Sequence, residues 1–303
     1  MKQHAAALHR THNAVNPTMQ FLTTAPDMSR LSELNEMNRE ETLIFLSVRP
    51  VHTVVMTSFI EDNGIESPLN RGRFFGYRNR CGDLEGVALI GHATLVEARS
   101  EEALKALAFA ARHSEIPAHL IMSYGEAAEL FWKYANDLNA SPRLICNEAL
   151  FELGFPFPVQ KCRYDIRLAR PEELDQIADA QAEIALLESG VDPRKSDHGG
   201  FLGRVLRRIE QGRIYVVVED GRLIFKADVI AKTVNTAYLE GIYVAPERRG
   251  QGIGSECLAN VGLRLLGSVQ NVCLLSNVDF HAAHRSFEKA GFKNTGNCTT
   301  VFA

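Results

Sequence analysis

With 303 residues, 46% of them hydrophobic, the chain can bury a large core and exceeds the usual size of one domain, so two domains are expected. A formal net charge of −4 speaks against a general nucleic-acid binder, and no apolar run approaches the roughly 18 to 20 residues that cross a bilayer, so neither nucleic acid nor membrane is an expected partner. Cys81, Cys146, Cys162, Cys257, Cys273 and Cys298 include no C-x-x-C pair, which argues against a zinc site or a dense disulfide framework and fits a reducing cytoplasm.

Residues 1–35 read as a disordered extension. No acid precedes Asp27 and no long apolar core is present, which argues against a secretory signal; Met19 or Met28 offers an alternative start. His4, His9 and His12 fall here without regular structure to hold a metal. A first domain is expected over 36–160. Asn38-Arg39-Glu40-Glu41 supplies a cap and first-turn acids for a helix that Pro50 interrupts. After a loop over 63–73, the pattern predicts a strand over 73–79, a turn at Cys81-Gly82-Asp83 and strand residues over 86–97, read as a hairpin and a further strand. Ser100-Glu101-Glu102 caps a helix to 112, Ser123-Tyr124-Gly125 precedes another to 136, and a stretch rich in Phe, Gly and Pro over 151–158 ends the unit.

The second domain, 161–303, opens with a strand over 164–168. Arg170-Pro171-Glu172-Glu173 then starts a helix running toward 188. Residues 190–200 are polar and turn-rich, which suits a mobile loop over a site, and a basic helix follows over 201–211. Strands over 213–218, 223–230 and 237–244 form an antiparallel meander. A helix over 252–267 turns Ile253, Cys257, Leu258, Val261 and Leu265 to one face, and a strand over 271–276 closes a right-handed parallel unit. A faint repeat links the halves: Gly72-Arg73-Phe74-Phe75 and Cys81-Gly82-Asp83-Leu84 parallel Gly212-Arg213-Ile214-Tyr215 and Asp220-Gly221-Arg222-Leu223.

Between the strand over 237–244 and its helix, Gly250, Gly252 and Gly254 stand at every second position. Glycines there permit backbone angles closed to other residues and bare the main chain, so the amides at the helix start, with Arg248 or Arg249, form an anion site suited to a pyrophosphate. No Gly-Lys-Ser/Thr follows, so this is not a P-loop, and no dinucleotide fingerprint fits. The equivalent position in the first half is Arg99-Ser100-Glu101-Glu102, whose carboxylates would repel a phosphate.

Val244-Ala245-Pro246-Glu247-Arg248-Arg249-Gly250-Gln251-Gly252-Ile253-Gly254 resembles the acetyl-CoA signature of the GNAT acyltransferase superfamily. Leu274-Leu275-Ser276-Asn277 and Phe287-Glu288-Lys289-Ala290-Gly291-Phe292 resemble that family's last strand and its Tyr-Glu-Lys-x-Gly-Phe ending. The first half is similar to the degenerate half of bacterial tandem-GNAT proteins, and Ile224-Phe225-Lys226-Ala227 also resembles that subgroup. The resemblance implies an α/β fold, a mixed and mainly antiparallel sheet flanked by helices, in two GNAT-like domains in tandem. It also implies acetyl-CoA as cosubstrate, held by Ile242, Tyr243, Val244, Arg249, Gly250, Gln251, Gly252, Ile253, Gly254, Ser255 and Asn277.

Acetyl transfer to an amine needs a base, a polarised thioester carbonyl and a proton for the thiolate. Glu240 is the candidate base; strand alternation puts it on one face with Ile242 and Val244, opposite Leu239, Gly241 and Tyr243. The family's proton-donating tyrosine aligns with Phe287, and an asparagine expected near the start of that helix aligns with Phe280; His284 and Ser286 are the substitutes for the acid. The expected activity is N-acetylation of a small-molecule or peptide amine by direct attack, with a non-catalytic acyl-CoA-binding or regulatory protein as the alternative.

Overall fold

Two stretches with alternating apolar residues, each leading into an amphipathic helix, build two copies of one strand-rich unit. The computed structural model describes residues 25–136, 140–157 and 161–303. The first half contains β1 (Leu31–Glu33), α1 (Arg39–Ser47), α2 (Val54–Asn63), β2 (Gly72–Arg78), β3 (Leu84–Gly91), β4 (Ala93–Ala98), α3 (Glu101–Arg112), β5 (Leu120–Tyr124), α4 (Ala127–Ala135) and β6 (Leu144–Leu153). The second contains β7 (Arg167–Leu168), α5 (Leu174–Ser189), α6 (Pro193–Ser196), α7 (His198–Glu210), β8 (Ile214–Glu219), β9 (Arg222–Lys232), β10 (Thr236–Val244), α8 (Ile253–Leu266), β11 (Asn271–Asn277), α9 (His281–Lys289) and β12 (Lys293–Phe302). The run from β2 to β6 repeats in type and order from β8 to β12, as the faint sequence repeat led one to expect.

All twelve strands join one mixed, mainly antiparallel sheet in the order β1-β2-β3-β4-β5-β12-β6-β11-β10-β9-β8-β7. The last strand of each half is exchanged: β12 lies between β5 and β6, and β6 pairs with β11. This places Glu148 of β6 opposite both Asn277 of β11 and Cys298 of β12. Neither exchanged strand was foreseen, nor was α2, whose Val54 packs with Leu150, Tyr238 and Cys273 on the face of the sheet opposite α8. Arg213 pairs with Asp62 at 2.7 Å and Arg207 donates to Asn63 Oδ1 at 3.0 Å, tying the halves together across that face.

Several expected boundaries change. Residues 1–24, with His4, His9 and His12, lie outside the described residues, but the rest of the expected extension is ordered: Leu31–Glu33 pairs with β2. The strand expected over 164–168 shrinks to Arg167–Leu168. The expected loop over 190–200 contains α6 and the start of α7, and Arg194 pins it by pairing with Asp192 at 3.0 Å and Asp179 at 2.8 Å. All six cysteines are free, and among the described residues no helix is long and apolar enough to cross a membrane.

Candidate active site

β10 and β11 run parallel, but their pairing covers only Thr236–Leu239 against Asn271–Leu274. Beyond Leu239 the strands part, and β10 changes from fully buried to half-buried over residues 240–244. Main chain that a sheet would normally occupy is thereby left available to a ligand.

A β-bulge coincides with the split. Glu240 pairs with Asp228 and Tyr243 with Lys226, so Gly241 and Ile242 together oppose Ala227. Gly241 takes φ 58°, and a β-carbon on it would lie 2.6 Å from Gln181 Oε1 and 2.7 Å from Lys226 Nζ, so the position requires glycine. The extra residue resets the strand's period of two. Tyr243 packs toward α5 and α7, the side that Glu240 faces, while Ile242 and Val244 join Leu239 in the core against α8. The expected alternation, with Glu240 sharing a face with Ile242 and Val244, is therefore wrong past Glu240.

Lys226 holds the bulge. It is fully buried, and its ammonium donates to the Gly241 carbonyl at 2.8 Å, to Gln181 Oε1 at 2.8 Å and to Asp228 Oδ1 at 2.7 Å. Arg208 Nη1 completes the network on Asp228 Oδ2 at 3.0 Å. Lys226→Met strips a cation from a buried carboxylate and a buried carbonyl; the expected loss is about 3 to 5 kcal/mol, read as a lowered denaturant midpoint. A midpoint within error of the parent would show that the network does not support the bulge.

Glu240 is half-buried and accepts a hydrogen bond from Tyr238 Oη at 2.8 Å; burial raises its pKa against the lowering effect of that bond and of Arg208. Two further carboxylates that the sequence analysis did not single out stand nearby. Glu148, which accepts from Thr300 Oγ1, is pushed up to about 7 by burial and by the Glu240 charge. Glu188, near the end of α5, is pushed up to about 8 by the protein atoms around its carboxyl, then by Glu240 and Glu148, although the residue as a whole is exposed. The exchange of β6 is what brings Glu148 here, and no local pattern in the sequence signals it.

The glycine turn leaves main-chain amides bare at the start of α8. Gly250 and Gly252 take φ 78° and 83°, and Gly252 caps α8 without a side-chain hydrogen bond, so the first-turn amides lack helical partners. Ser255 Oγ donates to Gly252 O at 3.0 Å, and Ile253 is buried in the core, which anchors the helix start. Gln251 Nε2 donates to Glu247 O at 3.3 Å, while Arg249 donates to Val244 O at 3.0 Å and to Glu183 at 3.3 Å, so its guanidinium lies along the end of β10. A β-carbon on Gly254 would lie 3.4 Å from Val244 Cγ2 and 3.9 Å from Ser286 Oγ, which brings β10, α8 and α9 to one corner. His284 Nε2 is 3.0 Å from Asn277 O, and its ring packs on Phe151. Phe287 is buried against Phe151 and cannot donate a proton.

Residues 210–294 match the family model for an acetyltransferase (GNAT) domain. The match spans β8 to α9 of the second half. The chain is also similar in fold to solved structures that it matches along most of their length. A GNAT-family acetyltransferase from Colwellia psychrerythraea has 14% identity, with 90% of this chain and 99% of that chain covered and a TM-score of 0.55. A Drosophila protein has 11% identity, with 90% and 98% covered and a TM-score of 0.67. A tandem GNAT protein from the clavulanic acid biosynthesis pathway has 14% identity, with 90% and 97% covered and a TM-score of 0.56. No curated protein sequence matches the chain. The fold shared with these structures accounts for both the repeated strand order and the two flanking sets of helices.

Proposed function

We propose that the protein is an acetyl-CoA-dependent N-acetyltransferase acting by direct attack of an amine, with the cosubstrate on the second half only. The observation that carries this reading is the bulged, parted end of β10 beside the glycine turn. The amides of Gly252, Ile253, Gly254 and Ser255, with Gly250, Gln251 and Arg249, suit the pyrophosphate, and Ile242, Tyr243, Val244 and Asn277 border the path of the pantetheine arm. The cosubstrate supplies an activated acyl group on a good leaving group. Glu240 takes the proton of the acceptor ammonium, directly or through water, and the bulge presents main-chain amide to the developing oxyanion. Ser286, at the corner with Val244 and Gly254, and His284, on the Asn277 carbonyl, are the groups positioned to return a proton to sulfur in place of the missing tyrosine.

The first half fits no second cosubstrate. Its β4–β5 pairing also ends early, at Leu95 and Met122, but Arg49 pairs with buried Glu97 there at 3.0 Å and lies over the Tyr124 ring. The α3 start carries Glu101 and Glu102. One site per chain is therefore expected, and the cleft between the halves is left for a small-molecule or peptide amine.

Buried Phe287 favours a second reading, a non-catalytic acyl-CoA-binding or regulatory protein. The two separate on a thiol-release assay with acetyl-CoA across a panel of aminoglycosides, polyamines, amino acids and peptides. Amine-dependent CoA release with a matching mass shift is expected; no release with any amine, alongside tight acetyl-CoA binding, would favour the pure binder.

A further inference from the structure

A cavity of about 40 Å³ lies under α2 on the sheet face opposite α8, reaching from Leu95 and Met122, where the β4–β5 pairing ends, to Tyr238 and Leu275 beside the start of the β10–β11 split. Tyr238, Cys273, Leu275 and Leu150 line it on the sheet side, and Val55 and Met56 of α2 line it from above. Tyr238 pairs with Cys273, and Leu275 is the first residue of β11 past the last pair, Leu239 and Leu274, so one end of the cavity lies next to the opening. Tyr238 also donates to Glu240, which ties the cavity to the acyl-transfer position.

The walls favour a hydrocarbon. Of their polar groups, Tyr238 is committed to Glu240, Ser123 donates to Val96 O at 2.8 Å, and Glu97 is paired with Arg49. His52 Nδ1 is buried without a partner, and its ring packs on Tyr124, which also lines the cavity. Burial and nearby Arg49 push this imidazole down to about 4, so it stays neutral. Water held here would want two to four polar partners, and the space takes roughly three water-sized spheres. An acetyl methyl leaves most of that room unfilled.

We propose that this cavity receives the tail of a three- or four-carbon aliphatic acyl group, so that the protein prefers propionyl-CoA or butyryl-CoA to acetyl-CoA. The inference rests on the CoA site of the second half. The transfer balances as for acetyl: nitrogen bonds the acyl carbon, the C–S bond breaks, one proton leaves the amine, one reaches sulfur, and no co-reactant is consumed.

Calorimetric titration of the full chain with CoA, acetyl-CoA, propionyl-CoA and butyryl-CoA tests it. Affinity is expected to rise about fourfold per added methylene. In Cys273→Leu, which fills the cavity, butyryl-CoA should lose its advantage over acetyl-CoA; Leu275→Phe provides the same ratio should the first variant not fold. Equal affinities for the three thioesters in the parent, or an advantage for butyryl-CoA that survives filling, would overturn the acyl pocket while leaving the CoA site standing. Binding of none of the four would overturn the CoA site and this inference with it.

Discussion

Glu240→Gln is expected to lower kcat for amine acylation by about 10²- to 10⁴-fold, the contribution of a positioned general base, while leaving acetyl-CoA affinity unchanged. Glutamine keeps the shape of the side chain and an oxygen for the Tyr238 hydroxyl, so the strand and its bulge persist. The pH profile carries a second signature. In the proposed role Glu240 acts as a carboxylate, and burial raises its pKa, so kcat/KM should fall with decreasing pH at values above the ordinary carboxylate range. Glu148 and Glu188 are pushed up to about 7 and about 8, and the ionisation of each carboxyl opposes that of its neighbours, so the acidic limb is expected to be broad. The variant should lose the limb along with the rate. Full turnover in Glu240→Gln would remove Glu240 from the chemistry.

Gly252→Asp is expected to weaken acetyl-CoA binding by about a hundredfold or more, a free-energy loss of nearly 3 kcal/mol. Two effects combine. Gly252 takes φ 83°, a region that costs an L-residue about 1 to 2 kcal/mol, and the new carboxylate stands at the helix terminus proposed to receive a diphosphate. The fold itself has room: the nearest atom to an added β-carbon is Glu256 Oε1 at 3.7 Å. Gly252→Ala separates the two effects, since it strains the backbone without the charge and should bind more tightly than the aspartate variant. Unchanged affinity in Gly252→Asp, measured by calorimetry, would move the pyrophosphate elsewhere.

The glycine turn was legible because its chemistry is local: alternate glycines, a preceding strand and a following amphipathic helix lie within thirty residues of one another. Phe287 was equally legible as a departure, since a missing hydroxyl needs no coordinates to be noticed. The bulge was not. Strand alternation is a rule of period two, and the one residue that breaks it does so because a lysine fifteen positions earlier holds the Gly241 carbonyl. Gly241 read as an ordinary strand glycine, and Lys226 entered only as part of a subgroup resemblance. The helix α2 was missed because Pro50 appeared to end helical structure, although Val54 through Ile60 place apolar residues on the face that covers the sheet.

What the sequence determined by itself is the hairpin, third strand and following helix of each half and the glycine turn, because these arise from contacts a few residues apart. What only the tertiary structure decided is the company kept by Glu240. The exchange of β6 and β12 sets Glu148 beside it, and α2 closes a cavity next to it, through pairings more than a hundred residues apart in the chain. A strand's hydrophobic pattern specifies that it will be buried but not which neighbour will bury it, and that choice assembles this site.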